Sequence, residues 1–149
     1  MTLCSRRFSI IPAATVLALA LTLSIAQANQ SGRLLPREHH KDGITWISGG
    51  IGKAQADAMR QHASGYALRL VMVEEGEPRL AFLGEVSVKI TDTKGKAIHI
   101  QSGPLLFLKL PPGRYTVQAE VAGYRLTRSV TVKPKASRQV TLIWPRSIG

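Results

Sequence analysis

The stretch Leu105-Leu106-Phe107-Leu108-Lys109-Leu110-Pro111-Pro112-Gly113-Arg114-Tyr115-Thr116-Val117-Gln118-Ala119-Glu120-Val121 decides the fold. Its first six residues are apolar except Lys109, the pattern of a strand covered on both faces. Pro111-Pro112-Gly113 then reverses the chain, because proline presets φ and glycine relieves the corner. From Tyr115 the pattern becomes period two. Tyr115, Val117, Ala119 and Val121 point one way and Thr116, Gln118 and Glu120 the other, as a half-buried strand requires.

The same period extends in both directions. Upstream, Leu80, Phe82, Val86, Val88 and Ile90 share one parity and predict a strand. Asp92-Thr93-Lys94-Gly95-Lys96 has hairpin-turn composition, and Ile98 and Ile100 continue the pattern as far as Ser102-Gly103-Pro104. Downstream, Leu126 to Val132 and Val140 to Trp144 predict two more strands around a turn at Lys133-Pro134-Lys135-Ala136-Ser137. Nearer the N-terminus, Ile44-Thr45-Trp46-Ile47 predicts a short strand that Ser48-Gly49-Gly50-Ile51-Gly52 interrupts. Lys53 to Ala63 lacks Gly and Pro and places Ala56, Met59 and Ala63 on one helical face, with Gly65 just past its end. Tyr66 to Val73 predicts a further strand. The expected fold is mainly β: a seven- or eight-stranded antiparallel sandwich with one short α-helix, Lys53 to Ala63. Residues 44–149 form the expected single domain, made of a strand-helix-strand unit (44–79) and a β region (80–145).

Residues 29–43 are polar and carry Gly32, Pro36 and Gly43, so a flexible N-terminal arm is expected. Before them, Arg6 and Arg7 precede sixteen uncharged residues, Ile10 to Ile25, and then Ala26-Gln27-Ala28. A basic start, an apolar middle and small residues two apart predict a signal peptide, residues 1–28, cleaved after Ala28, and a periplasmic protein. The only cysteine, Cys4, leaves with that signal, so the mature chain has no thiol chemistry and must stabilise itself with a hydrophobic core.

Charge points to the class of partner. The formal net charge is +11, falling to +9 without Arg6 and Arg7. Such a surface favours anions. In an exported protein these are an envelope component, at a peripheral anionic membrane or the cell wall, or an acidic protein face, and no nucleic acid is expected. Eight cations (Lys109, Arg114, Arg125, Arg128, Lys133, Lys135, Arg138, Arg146) follow position 108 against the single acid Glu120, whereas Glu74, Glu75 and Glu77 cluster apart.

The segment LKLPPGRYTV (residues 108–117), followed by Ala122-Gly123-Tyr124 and an alternating strand up to Val140-Thr141-Leu142, resembles the carboxypeptidase regulatory-like, transthyretin-like group of β-sandwich domains. The resemblance covers about residues 80 to 145 and implies a prealbumin-like or Ig-like sandwich of a noncatalytic accessory kind. Ser48-Gly49-Gly50-Ile51-Gly52 with Tyr66-Ala67-Leu68-Arg69-Leu70 further resembles small exported proteobacterial proteins that carry this module. The resemblance transfers no site residues.

Catalytic signatures are missing. The glycine-rich turn has neither the GxxxxGK[ST] nor the GxGxxG spacing, Ser48 is not in a G-x-S-x-G elbow, and His39, His40, His62 and His99 lack metal-ligand spacing. The expected function is therefore a non-catalytic periplasmic binding or scaffold protein, with no cofactor and no metal. One anion-binding candidate survives at Gly50, Gly52 and Lys53, where backbone amides open a helix. The competing reading is a metal-binding or hydrolytic enzyme using the Gly49 to Lys53 turn and the histidines.

Overall fold

The computed structural model describes residues 34–146, so the expected signal peptide lies outside the described part. The described chain is mainly β, two sheets with one α-helix. In order, its elements are β1 (His39–Lys41), β2 (Ile44–Gly49), α1 (Lys53–Gln61), a 3-10 turn (Ala63–Gly65), β3 (Leu68–Glu74), β4 (Ala81–Phe82), β5 (Val86–Asp92), β6 (Ala97–Ser102), β7 (Leu105–Lys109), β8 (Gly113–Val121), β9 (Tyr124–Val132) and β10 (Arg138–Trp144). The larger sheet runs β1-β2-β7-β3-β10, with β4 paired to the end of β3, and the smaller runs β6-β5-β8-β9.

Strand β7 occupies the position its composition demanded. Leu106 and Leu108 enter the core between the sheets, where they meet Val88 and Ile90 of β5 and Val117 and Ala119 of β8. Leu105 and Phe107 point the other way, into a second cluster with Ile47, Ala56, Met59 and Tyr66. The helix lies on that outer face. Burying a large apolar side chain fully stabilises the fold by about 1.5–3 kcal/mol, so a strand loaded on both faces anchors both layers at once.

Five expectations need correction in detail. Among the described residues there are ten strands, not seven or eight. They are not all antiparallel, because β10 runs parallel to β3, Arg138 beside Leu68 through Trp144 beside Glu74. A period-two pattern records which face is buried but not the direction of the neighbouring strand. The stretch from Leu80 to Ile90 is not one strand. It changes sheets: Phe82 pairs with Val73 of β3, Leu83 N–H donates to the Met72 carbonyl at 3.2 Å, and β5 begins at Val86 in the other sheet. Finally, the expected arm is in part a strand. His39–Lys41 pairs with β2 through a two-residue turn, Asp42 (φ 53°) and Gly43 (φ 78°), the positive-φ geometry favoured in hairpins.

The helix is also shorter than Lys53 to Ala63. It ends at Gln61, and His62 turns the chain with its Nδ1 3.0 Å from the Ala58 carbonyl. Gly65 closes the 3-10 turn that follows.

Candidate functional site at the basic end of the sandwich

Gly50, Gly52 and Lys53 sit in the β2–α1 connection as the sequence implies, but their polar groups have partners inside the fold. The Gly50 and Ile51 N–H groups donate to Gln55 Oε1 at 2.8 and 3.2 Å. Gly50 adopts φ +90°, and a Cβ there would lie 2.6 Å from Leu105 Cγ, so packing against β7 requires glycine. Gly52 (φ +84°) faces open space, and its carbonyl accepts the first helical bond, from Ala56 N–H. The Lys53 ammonium extends into solvent and pairs with Asp57 at 2.6 Å. The three residues are neighbours, and the connection they make is tight and internally bonded.

The histidines are not gathered at this turn. His39 stacks on Trp46 with ring centroids 5.5 Å apart, and His40 Nδ1 lies 2.8 Å from Thr45 Oγ1. His62 caps the helix, and His99 stands on the outer face of the smaller sheet beside Lys89. Among the described residues no three His, Cys, Asp or Glu side chains converge as a metal site.

What the fold does bring together is positive charge. Strand register places the 42–43, 92–96, 111–113 and 133–137 turns at one end of the sandwich. There Lys41, Lys94, Lys96, Lys109, Arg114, Lys133, Lys135 and Arg138 are all exposed. Three acids stand at this end, Glu38, Asp42 and Asp92, and two of them are engaged within the fold. Asp92 Oδ1 accepts the Lys94 and Lys96 amides at 2.8 and 2.9 Å, and Glu38 accepts from Lys109 Nζ at 2.7 Å. Glu74, Glu75 and Glu77 lie toward the opposite end, where β3 finishes beside Trp144. Two of the C-terminal cations are paired away from the basic end, Arg125 with Glu120 at 2.8 Å and Arg146 with Glu77 at 3.5 Å. The charge is therefore polarised along the strands.

An apolar cleft of about 220 Å³ opens between the sheets at this same end. Ile44, Ile90, Ile98, Pro111 and Tyr115 line it, with Asp42, Asp92 and Lys96 at its rim. The Tyr115 hydroxyl donates to the Pro111 carbonyl at 2.7 Å, and burial, reinforced by Asp92, pushes its pKa up, so the group is neutral at physiological pH. The cleft can accept a small apolar group.

On the adjoining outer face, Glu38 holds three elements together. Its Oε1 accepts from Lys109 Nζ and, at 2.9 Å, from the Tyr66 hydroxyl, while the Lys109 ammonium lies 5.1 Å from the Tyr66 ring centroid. Hydrogen bonds from Lys109 and then Tyr66 hold the Glu38 carboxyl below its usual range. Burial first, and the Glu38 carboxylate second, push Tyr66 up to about 12. Both groups are thus fixed in their ordinary neutral-pH states, a clasp and not a proton-transfer pair.

Three members of the basic end, Lys41, Lys94 and Lys96, stand outside the C-terminal basic run. The available signal was their position flanking the Asp-Gly and Asp-Thr-Lys-Gly turns, which share an end once two hairpins face each other. Among the described residues no helix is long and apolar enough to cross a membrane. Compared with known proteins, the chain matches no family model and no curated protein.

Proposed function

We propose that this chain is a non-catalytic periplasmic binding or scaffold protein, of the transthyretin-like, carboxypeptidase regulatory-like kind, whose basic end contacts an anionic envelope component. One observation carries the reading: eight exposed cations flanking four separate turns converge at one end against three acids, Glu38, Asp42 and Asp92, with Lys109 paired to Glu38. Such a field attracts extended anionic surfaces and raises their encounter rate. The apolar cleft among these cations gives the contact a recess for a hydrophobic group.

Co-sedimentation with phosphatidylglycerol vesicles, lipopolysaccharide and cell-wall fragments tests the proposal. Binding is expected at about 0.01 M salt and lost near 1 M, where the screening length falls roughly tenfold. Combined Lys133→Glu, Lys135→Glu and Arg138→Glu substitutions remove it, and Arg125→Glu leaves it in place. The absence of salt-sensitive binding to every one of these anions overturns the proposal.

A further inference from the structure

The two sheets expose four principal edges: β1 and β10 of the larger, β6 and β9 of the smaller. An open edge is a template for another strand unless charge, proline or shortness protects it. Strand β1 is three residues long and ends in Lys41. The β9 and β10 edges carry Arg125, Arg128 and Arg138 within the strands and Lys133, Pro134 and Lys135 between them. A second copy approaching there meets the same cations. Strand β6 (AIHIQS) has none of these protections: it is six residues long, contains no charged residue or proline, and buries Ile98 and Ile100 beneath it.

Its free backbone groups can be assigned. Asp92 N–H donates to the Lys96 carbonyl at 2.9 Å, which makes 92 and 96 a hydrogen-bonded pair. Alternation along the antiparallel ladder then directs Ile98, Ile100 and Ser102 toward β5 and turns the N–H and C=O groups of Ala97, His99 and Gln101 outward. This outward set is symmetric about His99, so it is complementary to itself under a two-fold axis.

We propose that a second copy of this chain pairs antiparallel along β6, with the dyad at His99 and Ala97 opposite the second copy's Gln101, fusing the two smaller sheets into one continuous sheet. The pairing is independent of the anion-binding end. It is weak, because one six-residue edge falls well short of a standard interface.

Sedimentation velocity of the protein purified after expression of the full chain tests this. A monomer–dimer equilibrium is expected, and His99→Pro raises the dimer dissociation constant roughly tenfold or more, since it removes only an outward donor. Gln101→Pro does the same should His99→Pro fail to fold. In a Cys4→Ser background, His99→Cys cross-links under mild oxidation, because directly opposed residues of a hydrogen-bonded pair lie about 5.5 Å apart. A protein monomeric up to about 0.5 mM, or a dimer that survives both proline variants, or no cross-link at position 99, overturns the proposal.

Discussion

Lys96 Nζ donates a 3.1 Å hydrogen bond to the Asp42 carbonyl, tying the β5–β6 hairpin of one sheet to the β1–β2 hairpin of the other across the mouth of the apolar cleft. The tie is exposed, which decides how it acts. Exposed polar contacts contribute little net stability, but they can hold a hairpin in place over an opening. Lys96→Ala is therefore expected to lower unfolding stability by less than about 1 kcal/mol in urea titration, while hydrogen exchange of the Asp42–Gly43 turn accelerates measurably.

The two glycines of the β2–α1 connection separate backbone strain from steric exclusion. Gly52→Ala meets open space and incurs only its positive φ, about 1–3 kcal/mol. Gly50→Ala incurs a comparable backbone cost and also drives a methyl group into Leu105, adding about 1–3 kcal/mol. Urea midpoints should rank wild type above Gly52→Ala and Gly52→Ala above Gly50→Ala.

Neighbouring residues of β7 report on different layers. Leu106→Ala opens the core between the sheets and should cost about 2–5 kcal/mol, with cooperative loss of both sheets. Phe107→Ala costs about 3–5 kcal/mol but removes the surface on which α1 rests. Hydrogen exchange should then rise first across Lys53–Gln61, ahead of β5 and β8.

The Glu38 clasp makes stability depend on pH at both extremes. Because the folded Glu38 pKa is depressed, its contribution is present above the ordinary glutamate range and is lost as pH falls through the folded value. Tyr66 is raised from 10.0 to about 12, so its contribution is complete below pH 10 and is lost as pH rises toward about 12. Glu38→Gln should flatten the acid limb of the stability profile. Tyr66→Phe should remove one late-titrating phenolate from the ultraviolet absorbance titration.

Much of the fold was legible because burial leaves a strong periodic trace. Tyr115, Val117 and Ala119 alternate and are buried, and Leu105 to Leu108 are apolar in succession and are covered on both sides. The stop at Phe82 and restart at Val86 was hidden, because both pieces keep the same apolar parity in the sequence, although Leu80 and Phe82 are exposed and Val86, Val88 and Ile90 are buried in the other sheet. The β1–β2 hairpin was readable but missed: Asp42-Gly43 is a strong hairpin dipeptide set inside an otherwise polar stretch. For the candidate site, the excess of C-terminal cations was visible in the composition. Which of them share one end, and which pair with acids (Lys109, Arg125 and Arg146), was not.

The sequence by itself determined the strand-rich class, the turns and the doubly covered character of residues 105–108, since these follow from local side-chain period and backbone preference. Tertiary structure alone decided that β10 lies parallel to β3, that eight cations share one end and that β6 is an uncharged edge. Strand direction, convergence and edge position are relations between segments far apart in the chain. They are settled by which faces pack together, and no local pattern encodes them.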